Sequence, residues 1–197
     1  MRYLISVAAA LALSSAAGSV SAQGADWSGL YGGLSMATHD GGNYYDGSDT
    51  VTYDLEGPAF GAFIGYNWGN GPLVYGAELA ASKGGVYEVE PDGGTSYKDE
   101  YEYTRFLDLK GRVGYTFHNV LLYGTLGVSR ASFLSDETVT IDTTGTVFGL
   151  GADYQFGGRY FVGAEYLRRQ YDFYDFNQGS DIEGDINTFT LRGGFRF

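Results

Sequence analysis

The 197-residue sequence contains no cysteine and only 3 prolines. Without thiols the chain has no disulfide, no thiolate nucleophile and no cysteine-bound zinc or iron. The scarcity of proline leaves long stretches of backbone able to pair as β-strands, since proline removes a backbone donor. Backbone pairing and packing must therefore supply the stability.

Long apolar runs are missing as well. Residues 3–13 form an apolar run of 11 residues, well below the roughly 20 that a spanning helix needs. The run follows Arg2 and precedes Val20, Ser21 and Ala22, small residues that suit cleavage by a signal peptidase. We predict a cleaved signal peptide over residues 1–22 and a single domain over residues 23–197. Any passage through a membrane must use strands.

Basic residues are few, with 12 Lys and Arg against 24 Asp and Glu, and the sequence pI is about 4.4. Such a chain is a poor binder of nucleic acid, and it carries no phosphate-binding loop or metal-ligand cluster. Of its 2 histidines, His118 falls in a predicted turn and His39 lies near Ser35 without a nucleophile elbow around it. We therefore predict no cofactor and no enzymatic activity.

Glycine and aromatic residues are abundant, with 32 Gly, 18 Tyr and 13 Phe. At the chain end Phe189, Leu191, Phe195 and Phe197 alternate with polar or small residues, which indicates a strand with one apolar face. Seven more segments alternate as well. In the fifth of the eight, Val120, Leu122, Leu126 and Val128 oppose Leu121 and Tyr123, so apolar residues lie on both faces and the outward face is assigned to the first set. The eight predicted strands lie near residues 27–37, 58–68, 73–83, 103–117, 120–133, 146–156, 160–169 and 185–197.

The links between these segments alternate in length. Three are short turns at residues 69–71, 118–119 and 157–158, whereas four are long and polar, at residues 39–56, 84–102, 134–144 and 172–184. Short turns at one end and long loops at the other are typical of an outer-membrane barrel, with turns and termini in the periplasm and loops outside. The prediction is an eight-stranded antiparallel up-and-down transmembrane β-barrel.

A soluble barrel of the lipocalin type would alternate too. Two features favour a membrane barrel over a soluble one. The polar face is rich in Gly, Ala, Ser and Thr, which suits a narrow interior better than a solvent surface. Aromatic residues also gather on the apolar face at the turn ends, as an interfacial belt would require. These are Tyr66, Trp68, Tyr115, Phe117, Tyr154, Phe156, Tyr160, Phe195 and Phe197.

Four motifs carry a resemblance: W-S-G-L-Y-G-G, A-F-G-A-F-I-G-Y-N-W, G-A-E-Y and the closing L-R-G-G-F-R-F. In this order they resemble the small outer-membrane β-barrel family of proteobacterial surface antigens, and they are similar to the barrel domain of OmpA. The resemblance implies that the barrel-insertion machinery reads Phe197. It also leaves open a rival, since some eight-stranded barrels of this kind modify lipid A.

Charge divides the chain. The four long links hold most of the 24 acidic residues and a single base, Lys98. We expect these acids to keep the loops soluble and to repel nonspecific contacts. The alternative is calcium binding, for which the stretch from Asp181 to Asp185 is suggestive but lacks the EF-hand spacing.

Charged residues on the inward parity should pair across the lumen, because unpaired charges there are costly. We expect Glu78 to contact Arg112 or Lys110, and Glu165 to contact Arg192. Ion pairs that fill the lumen favour a structural plug over a gated pore. The predicted lumen set is Glu78, Asp108, Lys110, Arg112, Asp153, Glu165, Arg169, Arg192 and Arg196.

Four bases fall on the outward parity instead, roughly 8 to 12 residues from the short turns. Lys83, Arg105, Arg130 and Arg168 would then form a ring at the outer edge of the apolar band, facing the phosphates of lipopolysaccharide. The alternative is that they are solvated strand ends.

The sequence therefore predicts a monomeric, non-enzymatic barrel that supports the Gram-negative envelope and serves in surface display or adhesion, with a host or surface ligand for its loops left open. A narrow channel and a lipid A-modifying enzyme are the alternatives.

Overall fold

The computed structural model describes residues 25–45, 52–90, 104–135, 139–175 and 180–197. These residues form one closed barrel in which each strand pairs with its chain neighbours. The strands are β1 (Gly29–Tyr45), β2 (Thr52–Asn70), β3 (Leu73–Glu90), β4 (Thr104–Phe117), β5 (Val120–Ser135), β6 (Val139–Phe156), β7 (Tyr160–Asp175) and β8 (Ser180–Arg196). The predicted signal peptide lies outside the described residues.

The barrel closes where β1 pairs antiparallel with β8, from Tyr31 opposite Arg196 to Tyr45 opposite Ile182. All other pairings are also antiparallel, so the predicted fold class is confirmed. Within the described residues, no helix is long and apolar enough to cross a membrane.

The three short turns lie together at one end of the barrel, here called the turn side. Gly71, Gly157 and Gly158 have φ values of 63°, 59° and 77°, in the left-handed region that glycine adopts without steric cost. His118 has φ 53° in the β4–β5 turn, the only described residue other than glycine with a positive φ.

The four links at the other end, the loop side, are shorter than predicted. β1 continues to Tyr45, β2 begins at Thr52, and β3 continues to Glu90, so much of the sequence that we predicted as loop is paired strand. The apolar alternation stops there because both faces of a sheet that projects beyond a bilayer meet water. Backbone pairing needs no such alternation.

The two faces of the wall agree with the predicted parity, including that of β5. Leu122, Leu126 and Val128 are exposed, whereas Leu121 and Tyr123 are buried. The predicted aromatic residues at the turn side point outward or lie at the rim, and several of them stack. Trp68 stacks on Tyr75, Phe156 stacks on Tyr160, and Phe195 meets Phe197 edge to face.

Candidate functional site in the barrel lumen

Eight charged side chains fill the middle of the lumen, because their strands place every second residue inward. All are at most 4% exposed, and they comprise four acids and four bases. They divide into a turn-side network of six and a loop-side pair. The network is Glu78, Lys110, Arg112, Asp153, Glu165 and Arg192, and the pair is Asp108 with Arg169.

Arg192 and Lys110 bridge the same two carboxylates. Arg192 Nη2 lies 2.5 Å from Glu78 Oε2, and Arg192 Nη1 lies 3.5 Å from Glu165 Oε2. Lys110 Nζ lies 3.0 Å from Glu78 Oε1 and 2.8 Å from Glu165 Oε2. Glu78 and Lys110 are register partners on β3 and β4, which explains their contact. The resulting square of charges joins four different strands across the lumen.

Arg112 lies between two tyrosine rings. Its guanidinium carbon is 4.7 Å from the centroid of Tyr31 and 4.5 Å from that of Tyr123, at cation–π distance. Arg112 Nη1 lies 3.5 Å from Glu78 Oε2 and 3.5 Å from Asp153 Oδ2. The rings hold the guanidinium and leave it a looser electrostatic contact with the acids.

Asp153 is wholly buried, with Arg112 Nη1 and Arg192 Nε 3.5 and 3.6 Å away. Neither carboxylate oxygen has a hydrogen-bond partner. Gly163 on β7 makes room for this carboxylate, since a Cβ there would lie 2.1 Å from Asp153 Oδ1. The acid therefore completes the charge balance of the network, with three acids against three bases, without a direct hydrogen bond.

The loop-side pair has tighter geometry. Arg169 Nη2 donates to Asp108 Oδ2 at 2.7 Å and Arg169 Nε donates to Asp108 Oδ1 at 3.3 Å, which is a fork-shaped contact. Arg169 Nη1 also donates to Thr188 Oγ1 at 2.6 Å, and His39 Nδ1 is 2.9 Å from the same oxygen. The Arg169 guanidinium covers the ring of Phe106 at 4.7 Å.

Apolar clusters lie on both sides of the charges. The turn-side cluster consists of Trp27, Tyr31, Phe63, Val74, Leu121, Tyr123 and Phe161. The loop-side cluster consists of Phe106, Ala131, Tyr171 and Ile186. Between the network and the pair a cavity of about 30 Å³ remains, room for about one water molecule. The described lumen is thus filled along its length.

Residues 25–28, called here the N-terminal strap, cross the turn-side mouth. We predicted Trp27 as part of the first strand, but β1 begins at Gly29 and the Trp27 ring lies inside the mouth, 2% exposed. Ala25 N donates to His118 O at 2.7 Å, and His118 lies in the β4–β5 turn, across the eight-stranded ring from β1. Asn67 Nδ2 donates to Trp27 O at 3.0 Å.

Arg196 contacts the N-terminal strap and does not join the central network, contrary to our expectation. Arg196 Nη2 donates to Ser28 O at 3.0 Å, and Arg196 Nη1 donates to Gln155 Oε1 at 3.1 Å. Its position next to the chain end places it at the mouth, beyond reach of the central acids. Ser28 donates its hydroxyl and its amide to Asp26 Oδ1, and these bonds lower the pKa of Asp26.

The four predicted outward bases lie on β3, β4, β5 and β7. Lys83, Arg105 and Arg130 line one groove on the outer wall. Arg168 lies apart from it, on β7, and its Nη2 donates to Asp185 Oδ2 at 2.6 Å. The other predicted site residue, Phe197, donates its backbone N–H to Leu30 O at 2.9 Å and has a side chain that is 72% exposed.

Among the described residues, no group of three or more His, Asp or Glu side chains is placed to hold a metal ion. The side chains of Asp181 and Glu183, on which the calcium alternative depends, lie outside those described. His39 is buried against Phe106 and Thr188, and His118 lies in a turn.

Comparison with known proteins agrees with this architecture. Residues 6–197 match the family model described as outer membrane protein beta-barrel domain. A 22 kDa outer membrane protein of Rhizobium leguminosarum bv. viciae is 33% identical over 177 residues, which are 87% of this chain and 78% of that protein.

Solved structures share the fold at low sequence identity. OprG of Pseudomonas aeruginosa has 16% identity and a TM-score of 0.53, with 90% of this chain and 99% of that chain covered. Ail of Yersinia pestis, solved with the heparin analogue sucrose octasulfate, has 18% identity and a TM-score of 0.51, with 86% and 99% covered. The resemblance seen in the motifs is confirmed: this chain belongs to the outer-membrane β-barrel protein family and is located in the outer membrane.

Proposed function

We propose that the protein is a sealed, non-enzymatic barrel that reinforces the outer membrane and presents an acidic surface to the exterior. The observation that carries this proposal is the charge-balanced lumen, with each layer of ion pairs neutral by itself. Loops outside and termini in the periplasm are the orientation that the short turns and long links favour.

The contacts support a plug over a channel. A solute passing through the lumen would have to separate Arg192 from Glu78 and Glu165. It would also have to displace the Arg112 side chain from between two tyrosine rings and pass the N-terminal strap. Each separation leaves a charge unpaired in a poorly hydrated space, at a cost of about 3 to 5 kcal/mol for a fully buried pair. Thermal motion opens such a path rarely.

The contacts also disfavour the lipid A-modifying alternative. Acyl transfer or hydrolysis needs a nucleophile beside a base that an acid orients. Buried His39 contacts Thr188, a residue that already accepts a hydrogen bond from Arg169, and it faces the lumen instead of the lipid. This arrangement gives His39 a packing role.

The exterior surface supports display in preference to capture of polyanions. Ail was solved with a sulfated heparin analogue, but the links of the present chain are rich in acids and would repel sulfate groups. We propose a monomer whose loops meet a host or surface ligand of another chemistry, and whose Phe197 is read by the barrel-insertion machinery during assembly.

Conductance in planar bilayers tests the plug. The refolded mature chain should show no sustained current steps, whereas Glu78→Ala and Arg112→Ala should lower the free energy of unfolding by about 3 to 5 kcal/mol. Arg159→Ala, which alters a base in the β6–β7 turn, is the matched control and should change neither quantity. Steady large steps from the unmodified protein would show that the channel alternative is right.

Single cysteines test the orientation, since the chain has none of its own. Gly94→Cys lies in a long link and Gly158→Cys in a short turn. In intact cells a thiol reagent that does not cross membranes should label the first variant and spare the second. The reverse labelling would show that the barrel has the opposite orientation, with the short turns outside.

A further inference from the structure

Three bases share one groove on the outer wall of the barrel. Lys83 on β3, Arg105 on β4 and Arg130 on β5 line a groove of about 480 Å³ together with Phe60, Ala81 and Leu107. All six side chains are exposed on the outward face. The groove thus combines an apolar floor with a cationic rim.

The strand register brings these bases together. Lys83 is directly opposite Arg105, and Arg130 is opposite Leu107, one step along from Arg105 on the same face. Three positive charges therefore lie close together on neighbouring strands, and Asp142 offsets one of them by pairing with Arg130. The concentration of positive charge stands out on a chain whose net charge is −12.

The height of the three bases on the barrel matches the depth of lipid headgroups in the outer leaflet. They lie 10 to 12 residues from the ends of their strands at the short turns. With a rise of about 3.3 Å per residue and a tilt near 40°, this places them about 25 to 30 Å above the turns, at the upper edge of an apolar band about 25 Å tall. The apolar floor then lies at acyl-chain depth and the cations at phosphate depth.

Arg130 is held in position for this role. Arg130 Nη2 donates to Asp142 Oδ2 at 2.7 Å, and Ser132 Oγ donates to Asp142 Oδ1 at 2.5 Å. These hydrogen bonds lower the pKa of the exposed Asp142 carboxyl, which stays ionised at neutral pH and keeps Arg130 at the groove rim. Arg168, which binds Asp185, lies on β7 and does not line the groove.

We propose that this groove binds one lipopolysaccharide molecule, with a lipid A phosphate between Lys83, Arg105 and Arg130 and one acyl chain over Ala81 and Leu107. The proposal rests on the outward orientation of the loops proposed above. An arginine fork can bind two phosphate oxygens through parallel hydrogen bonds, which a lone lysine cannot.

The test measures thermal unfolding of the refolded mature chain in phosphatidylcholine bicelles titrated with lipopolysaccharide. A specific ligand raises the midpoint with concentration, and the dependence gives an apparent Kd. Changing Lys83, Arg105 and Arg130 together to Gln should weaken the Kd by about tenfold or more, as expected for lost charge-assisted hydrogen bonds. The control, Arg159→Gln with Arg168→Gln, should leave it within about threefold. An unchanged Kd in the triple variant would overturn the proposal.

Two further experiments test the contributions of the acyl chain and of the phosphate separately. Ala81→Phe fills the floor while it keeps all charges, and it should weaken binding of lipid A. Dephosphorylated lipid A and phosphatidylglycerol should both bind worse than lipid A. Equal binding of the dephosphorylated form would overturn the role of the bases, and equal binding of phosphatidylglycerol would overturn the assignment to lipopolysaccharide. Reversed cysteine labelling would remove this proposal together with the orientation, whereas an unchanged triple variant removes this proposal alone.

Discussion

The two halves of the lumen are built differently. The turn-side half holds six charges, a cluster of seven apolar and aromatic residues and the N-terminal strap. The loop-side half holds one ion pair, His39 and a cluster of four. The charges of the turn-side half share partners, whereas Asp108 and Arg169 chiefly bind each other.

This difference indicates in which half of the lumen the stability depends on charges that share partners. Removing one member of a shared network unbalances several contacts at once, whereas an isolated pair can be removed whole. The turn-side half should therefore respond steeply to single substitutions, and the loop-side half should tolerate a paired replacement.

Arg192→Leu should give the largest effect. Arg192 contacts Glu78, Glu165 and Asp153, so its loss leaves three buried acids facing two bases. We expect the free energy of unfolding in urea to fall by about 3 to 5 kcal/mol. The double variant Asp108→Leu with Arg169→Leu should change it by less than about 1.5 kcal/mol, since the whole pair is removed. Equal losses in both variants would contradict the division into halves.

The fluorescence of the two tryptophans should distinguish the lumen from the lipid-facing side of the barrel. Trp27 is 2% exposed in the mouth, whereas Trp68 is 46% exposed on the lipid face. Brominated lipid should quench the fluorescence of Trp27→Phe, which retains Trp68, far more than that of Trp68→Phe. Trp27→Ala should also cost about 3 kcal/mol of stability from lost packing. Similar quenching in both phenylalanine variants would place Trp27 in the lipid.

Glycines of opposite parity should differ by a smaller amount. A Cβ at Gly163 would lie 2.1 Å from Asp153 Oδ1, whereas the nearest atom to a Cβ at Gly111 is 3.7 Å away. Gly163→Ala should cost about 1 to 3 kcal/mol through overpacking. Gly111→Ala should change stability by less than about 1 kcal/mol in either direction, since the added Cβ would make only an ordinary van der Waals contact. If the two variants unfold alike, Asp153 does not need the space that Gly163 leaves.

The membrane part of the fold was predictable from sequence. Between lipid and a filled lumen every strand must alternate, so Leu107 and Asp108 reveal their faces by composition alone. Beyond the bilayer that constraint ends. The strand extensions at Tyr45 and Glu90 therefore carried no pattern that could be read.

The lumen contacts were predictable only in part. Glu78 and Lys110 lie on neighbouring strands, so their contact could be predicted from the register. The contact of Arg192 with Glu78 crosses the lumen and depends on the length of the side chains, which the sequence pattern does not reveal. Arg196 shares the inward parity of Arg192, yet its height places it at the mouth. The strap was missed because a short segment that crosses a mouth has no periodicity at all.

The position of Arg192 on β8 bears on how the barrel is assembled. Before the last strand of the chain joins β1 and β7, Glu78, Asp153 and Glu165 would face only Lys110 and Arg112. An open sheet in lipid would carry an uncompensated negative charge as well as two unpaired edges. The closing strand supplies electroneutrality and the final hydrogen bonds in one event, which makes a half-built barrel an unstable species and the completed one cooperative.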